Sequence, residues 1–159
     1  MLARILVALL VLFGSLHARG QAYNELLKAV NGGDVKTVAD FLDKGLDPNT
    51  TDREGFTLLM TASRLGHLEL VKLLIARKAS VTRQSAQGDT ALMLASLKGH
   101  RAVAELLIAQ GGKVSQAGWA PLHYAAFEGR TEVIRLLLSK GADKDAIAPN
   151  GYSALMLAA

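Results

Sequence analysis

The sequence predicts an all-α solenoid of helix–turn–helix units joined by projecting β-hairpin turns, and three observations carry that prediction. Glycines recur in a fixed frame: Gly55, Gly88, Gly118 and Gly151 are spaced by 33, 30 and 33 residues. Alanines keep the same frame, with Ala29, Ala62, Ala95, Ala125 and Ala158 separated by 33, 33, 30 and 33. The third observation is the content of one period. Gly118-Trp119-Ala120-Pro121-Leu122-His123-Tyr124-Ala125-Ala126 supplies a turn glycine, a proline at a helix start and a short Ala-rich helix. Gly129 then breaks the chain before a second apolar helix through Leu136-Leu137-Leu138, and Gly141-Ala142-Asp143 closes the unit. Self-similarity at a period of about 20–50 residues is the mark of a repeat architecture.

The chain divides in order. Residues 1–22 read as a cleavable signal peptide: Arg4, an unbroken apolar run from Ile5 to Phe13, then Gly14, Ser15, Ala18, Gly20 and Ala22. Ala18-x-Gly20 and Gly20-x-Ala22 are the cleavage candidates. A bilayer span needs ~20 apolar residues, so this run is too short for an anchor, and no stable membrane insertion is expected after cleavage. The chain has no cysteine, which excludes a lipoprotein and any disulfide. Export to a periplasm or by a secretory route is the expectation.

Residues 23–159 form the repeat domain, with units at about 23–51, 52–84, 85–117 and 118–146 and a partial unit at 147–159. In unit one, Asn24 is the expected N-cap of the first helix, and Gly32-Gly33 ends it. Asp34 is the expected cap of the next helix, whose Val35, Val38, Phe41 and Leu42 share a face. Gly45-Leu46-Asp47-Pro48-Asn49 turns into a hairpin. Polar Asn24, Glu25 and Lys28 make unit one an N-terminal cap, with one side in water. Unit two carries Thr57-Leu58-Leu59-Met60-Thr61-Ala62, and unit three Thr90-Ala91-Leu92-Met93-Leu94-Ala95. Their second helices, from Glu69 to Ile75 and around Val103 to Ile108, are apolar on more than one side, as helices between neighbours should be. The last unit stops at Leu155-Met156-Leu157-Ala158-Ala159 with no second helix or polar cap. The expectation is a piece of a longer product, with a partner contact at that end as the alternative.

From Tyr23 onward the pattern resembles the ankyrin repeat. The family's Thr-Pro-Leu-His stretch reads here Thr57-Leu58-Leu59-Met60, Thr90-Ala91-Leu92-Met93, Ala120-Pro121-Leu122-His123 and Ser153-Ala154-Leu155-Met156. The resemblance implies the fold and a threonine cap at Thr57. Losing proline and histidine in three units predicts a looser hydrogen-bond network at those turns.

Little in the sequence supports catalysis. His67 and His100 follow the glycines between the helices, and His123 holds the family's structural histidine position, so all three read as turn stabilisers. His67 and His100 lie in adjacent repeats, separated by a helix-packing distance of ~8–10 Å, too far apart to share a metal. No glycine-rich phosphate loop and no cofactor motif are present. Of 18 Lys and Arg residues, Arg4 and Arg19 precede Tyr23; the remainder against 14 acids leaves +2, with no basic cluster to favour nucleic acid.

What remains is surface. The resemblance implies a protein-binding module that uses its hairpin tips and the exposed side of its first helices. Carried onto this chain, that face is Arg53, Glu54, Phe56, Arg64 and Leu65, then Gln87, Asp89, Leu97 and Lys98, then Trp119, Phe127 and Glu128, and finally Tyr152. Past Tyr23 the aromatic residues are Phe41, Phe56, Trp119, Tyr124, Phe127 and Tyr152, and four of these six map to the face. The expected role is an adaptor or inhibitor of another exported protein, acting as a monomer unless the C-terminal end self-associates. A stabilising subunit that contacts a larger assembly through that end is the alternative, and an enzyme comes last.

One irregularity singles out a docking point. From Val81 to Gly88 is seven residues, as from Pro48 to Gly55 and from Lys144 to Gly151, but from Val114 to Gly118 it is four. Only Ser115, Gln116 and Ala117 remain of that finger. The notch lies beside the one tryptophan of the chain, with Trp119 the expected anchor and Phe127 behind it.

Overall fold

A computed structural model describes residues 16–158, with side chains from Gln21 onward. The apolar run and Arg4 of the expected leader lie outside the described residues. The helices fall into pairs: α1 (Leu16–Gly32) with α2 (Val35–Asp43), α3 (Leu58–Leu65) with α4 (Leu68–Ala76), and α5 (Ala91–Lys98) with α6 (Arg101–Ala109). The fourth pair is α7 (Pro121–Phe127) with α8 (Thr131–Ser139), and α9 (Ala154–Leu157) opens the fifth unit. None of these helices is long and apolar enough to cross a membrane. First helices stack on first helices and second on second, giving two layers.

The first-helix layer is the more closely packed, and the sequence gives the reason. Ala62, Ser63, Ala95, Ser96, Ala125 and Ala126 are all buried, and small side chains let backbones approach. In α5 every residue from Ala91 to Ser96 is buried, because a unit lies on each side of it. At the N-terminal end Asn24, Glu25 and Lys28 are exposed, as a capping unit requires. At the other end Leu155 is 80% exposed and Met156 59%.

Local signals set most boundaries. Gly33 takes φ +69° and ends α1. The Asp34 side chain accepts from the Thr37 N–H at 3.1 Å and starts α2. Thr57, Thr90 and Ser153 cap α3, α5 and α9 by accepting from Met60 N at 3.1 Å, Met93 N at 3.2 Å and Met156 N at 3.3 Å. Asn24 corrects the reading of the N-terminus. It lies inside α1 rather than capping it, because Ala22, Leu26, Ala29 and Val30 already form a buried stripe that starts before it. The helix thus runs through the expected start of the repeat domain at Tyr23.

Two of the three turns that lack histidine also differ from expectation. The Sδ atoms of Met60 and Met93 accept from Thr57 N at 3.4 Å and Thr90 N at 3.2 Å, completing reciprocal caps. In unit four Ala120 has no cap oxygen; His123 Nδ1 accepts from its N–H at 3.1 Å, and Nε2 donates to the Ala146 carbonyl at 3.0 Å. The turns of units two, three and four therefore make two such bonds each, and the last turn makes one, from Met156 N to Ser153 Oγ. The difference is reach, since only His123 ties its turn to the next finger.

Candidate functional site

His67 and His100 are structural, and with Arg130 they form a ladder that sets the pitch of the stack. His67 Nε2 donates to the Asn31 carbonyl at 2.8 Å, and His100 Nε2 to the Arg64 carbonyl at 3.0 Å. Arg130 Nε does the same to Leu97 at 3.1 Å. Each donor starts a second helix and reaches a carbonyl left free at the end of the preceding unit's first helix. The ring of His100 lies where a Cβ on Gly66 would come within 2.5 Å of Nδ1, so that position needs glycine for space as well as for φ +78°. Among the described residues no group of three or more His, Asp or Glu side chains could hold a metal.

The predicted binding face contains side chains engaged with one another, single exposed side chains and an open groove. Arg53 and Glu54 are exposed on the first finger, where the Glu54 carbonyl accepts from Ala86 N at 3.3 Å. Phe56 is half-buried, and the Arg64 guanidinium lies 5.6 Å from its ring centre, so these two predicted contacts occupy each other. Leu65 is exposed beside them. Gln87 is exposed and takes a hydrogen bond from Ser85 Oγ at 3.3 Å. Lys98 approaches Glu128 at 3.7 Å, and Glu128 also pairs with Arg130 at 3.0 Å. Tyr152 is half exposed on the last finger and stands apart from the groove described next.

Leu97, Trp119, Tyr124 and Phe127 line an open depression of about 210 Å³. The Trp119 ring meets His123 and Tyr124 edge-on, at 5.8 and 5.9 Å between centres. These contacts hold the indole in one orientation, while Phe127 stays 66% exposed. The Tyr124 hydroxyl donates to the Asp89 carboxylate of the preceding unit. Burial first, then that hydrogen bond and the Asp89 charge, raise the Tyr124 hydroxyl well above the usual tyrosine range, so it remains a donor at neutral pH. Asp89, predicted as a contact, therefore supports the groove from behind.

The shortened finger explains how Trp119 is fixed. In the intact fingers a backbone bond of 2.9 Å closes the hairpin, from Asp52 N to Phe56 O, Ser85 N to Asp89 O, and Ala148 N to Tyr152 O. Trp119 occupies the place of Phe56, Asp89 and Tyr152, but the residues that would supply its N–H partner are missing. The Gln116 side chain takes over, donating from Nε2 to Trp119 O at 2.9 Å. Sequence reasoning missed both Gln116 and Tyr124. Their only signals were the short finger and an aromatic residue where other units carry Thr61 and Leu94.

Stacked helix pairs and glycine-ended first helices define a repeat-protein scaffold. The chain matches the family model described as ankyrin repeats (3 copies) over residues 26–117 and 110–159, and it belongs to the ankyrin repeat family. It is 34% identical over 136 residues to ankyrin repeat and SAM domain-containing protein 6 of Mus musculus, covering 84% of this chain and 12% of that protein. It is 46% identical over 110 residues to ankyrin repeat and SOCS box protein 3 of Bos taurus, covering 67% of this chain and 21% of that protein. With human protein phosphatase 1 regulatory subunit 27 the identity is 37% over 126 residues, covering 79% and 62%. The chain thus spans between about an eighth and three-fifths of the length of these curated relatives.

Proposed function

We propose that this chain is an exported, non-enzymatic protein-binding module, an adaptor or inhibitor that docks on another exported protein. The groove of Leu97, Trp119, Tyr124 and Phe127 is its primary contact. The observation that carries the reading is this open, aromatic-lined depression on a face where Phe56 and Arg64 engage each other and Lys98 is drawn to Glu128. Rigid aromatic anchors in such settings dominate interface energies. The naming of one relative as a regulatory subunit fits a role exerted by docking. Export rests on Arg4, the run from Ile5 to Phe13 and the small residues before Tyr23.

Affinity capture from an extracytoplasmic fraction, using the parent chain and Trp119→Ala side by side, tests both parts. The parent should retain a partner that Trp119→Ala loses, with a binding cost of ~2 kcal/mol or more and unchanged helical content. Equal capture by both chains would refute the groove. N-terminal sequencing of the recovered chain should begin within a few residues of Gly20 to Tyr23; an intact Met1 would refute export.

A further inference from the structure

We propose that the groove receives a cationic side chain, an arginine or lysine presented by the partner protein. The inference deepens the docking reading above and rests on it.

Trp119 stands where unit two has Phe56, and Phe127 where unit two has Arg64. In unit two the chain fills the aromatic face itself, with the Arg64 guanidinium 5.6 Å from the Phe56 ring centre. In unit four the aromatic is present and its cation is absent, replaced by a second aromatic wall. The ring face carries the negative end of a quadrupole, and tryptophan attracts a cation most strongly of the three aromatic side chains.

The surroundings favour a cation over a neutral guest. Asp89 sets a carboxylate one hydrogen bond behind the groove, through the Tyr124 hydroxyl. The neighbouring cations of the chain do not line the groove. Lys98 is drawn to Glu128, and Arg130 is fixed both to Glu128 and to the Leu97 carbonyl. Leu97 and Phe127 offer apolar surface to the aliphatic stem that arginine and lysine carry behind the charge. A volume of about 210 Å³ is below the ~300–1,000 Å³ of sites that hold drug-sized ligands, and suits a single side chain.

The one tryptophan of the chain reports directly on the groove. N-acetyl-arginine amide and the neutral N-acetyl-norleucine amide would be titrated into the intact chain while Trp119 emission is followed. The arginine probe should produce a saturable change that weakens with salt, at an affinity about two- to thirtyfold better than the neutral probe, the range of a cation–π contact. An equal or stronger response to norleucine would overturn the cation inference and leave the docking reading standing. In parallel, a random linear peptide library displayed on phage would be panned on the parent chain and on Trp119→Ala. Peptides enriched on the parent alone should share an arginine or lysine whose replacement by alanine abolishes capture. A shared leucine or phenylalanine at that position would again exclude the cation. A lack of any Trp119-dependent signal with either probe or library would refute the docking reading itself.

Discussion

Units two and four are built on one plan and differ in how much of it they close for themselves. In unit two the finger is complete, and Asp52 N holds the Phe56 carbonyl. Arg64 covers the Phe56 ring, and the glycine that ends the first helix is clasped by His100. In unit four the finger is cut, and a side chain, Gln116, holds the Trp119 carbonyl. Among the described residues no cation lines the Trp119 groove, and nothing stands within 4 Å of where a Gly129 Cβ would lie. The same scaffold can therefore carry a self-satisfied surface or an available one. The choice rests on a few side chains outside the core. That separation is what lets a repeat protein vary its partner without refolding.

The largest expected effect tests the clasp. Gly66→Ala places a methyl 2.5 Å from the His100 ring at φ +78°, so it combines backbone strain with loss of the bond from His100 to the Arg64 carbonyl. About 3 kcal/mol of destabilisation is expected, from ~1–2 for the left-handed backbone and ~1 for the hydrogen bond. Gly129→Ala meets the same backbone conformation, φ +65°, with open space around it, and should cost only ~1–2 kcal/mol. Urea denaturation of the two variants checks the difference. Equal losses would mean that the histidine ladder contributes nothing beyond the glycine conformation.

The second test concerns Gln116. Gln116→Leu removes the donor to the Trp119 carbonyl and should cost ~1 kcal/mol, with a shift in tryptophan emission as the indole loosens. Inserting three small polar residues after Gln116 should restore a backbone hairpin bond of the kind seen from Asp52 to Phe56. In that background Gln116→Leu should become nearly silent in both stability and emission. An undiminished effect there would show that Gln116 does not stand in for the finger. The insertion alone should keep the melting temperature and abolish partner capture, because the finger would overhang the groove.

The stack was legible in the sequence because its determinants are local and repeated. Turn glycines, the alanines at Ala62, Ala95 and Ala125, and the cap residues Asp34, Thr57 and Thr90 each report on their own unit. The groove was legible in part. Trp119, Phe127 and Leu97 stand out by type and position, whereas the bond from Tyr124 to Asp89 joins residues 35 apart, and no single unit shows it. Gln116 stayed hidden for a related reason, as a side chain there replaces a backbone contact that composition does not record. Arg130 shows the converse. It fills the place of His67 and His100 with a different residue type, so a search for repeated histidines passes it by. Asn24 misled because its cap chemistry was judged without the buried stripe that begins at Ala22.

A smaller effect comes from giving unit two the turn of unit four. Met60 is buried and accepts from Thr57 N through sulfur, a weak acceptor with no donor to offer the next finger. Met60→His should keep the bond from Thr57 N and add a donor toward the Arg83 carbonyl, 23 residues on, as Ala146 is from His123. A gain of ~1 kcal/mol is expected, the net contribution of one added hydrogen bond. Thermal unfolding with slowed amide exchange between Arg83 and Gly88 would confirm it. A loss of stability would show that the methionine turns are packed too closely to accept the ring.

The smallest effect isolates backbone from surface. The second residue past the end of the second helix is glycine in units one, three and four, at Gly45, Gly111 and Gly141, with φ between +84° and +95°. Unit two carries Lys78 there at φ +69°, the one described residue other than glycine with a positive φ. A side chain in that conformation crowds its own carbonyl, at a cost of roughly 1–2 kcal/mol relative to glycine. Glycine loses more chain entropy on folding, which returns part of the difference, so Lys78→Gly should stabilise by only ~0.5 kcal/mol. The Lys78 carbonyl also accepts from Asn49 Nδ2 at 3.4 Å, and Asn49 Oδ1 takes the Ser80 N–H at 2.7 Å. Those bonds use the backbone and Asn49 alone, so the substitution should leave them in place. Chemical denaturation of Lys78→Gly beside Lys78→Ala separates the terms, because alanine keeps the Cβ strain and removes only the charged chain. If alanine gains as much as glycine, the strain lies in the lysine side chain and not in the left-handed backbone.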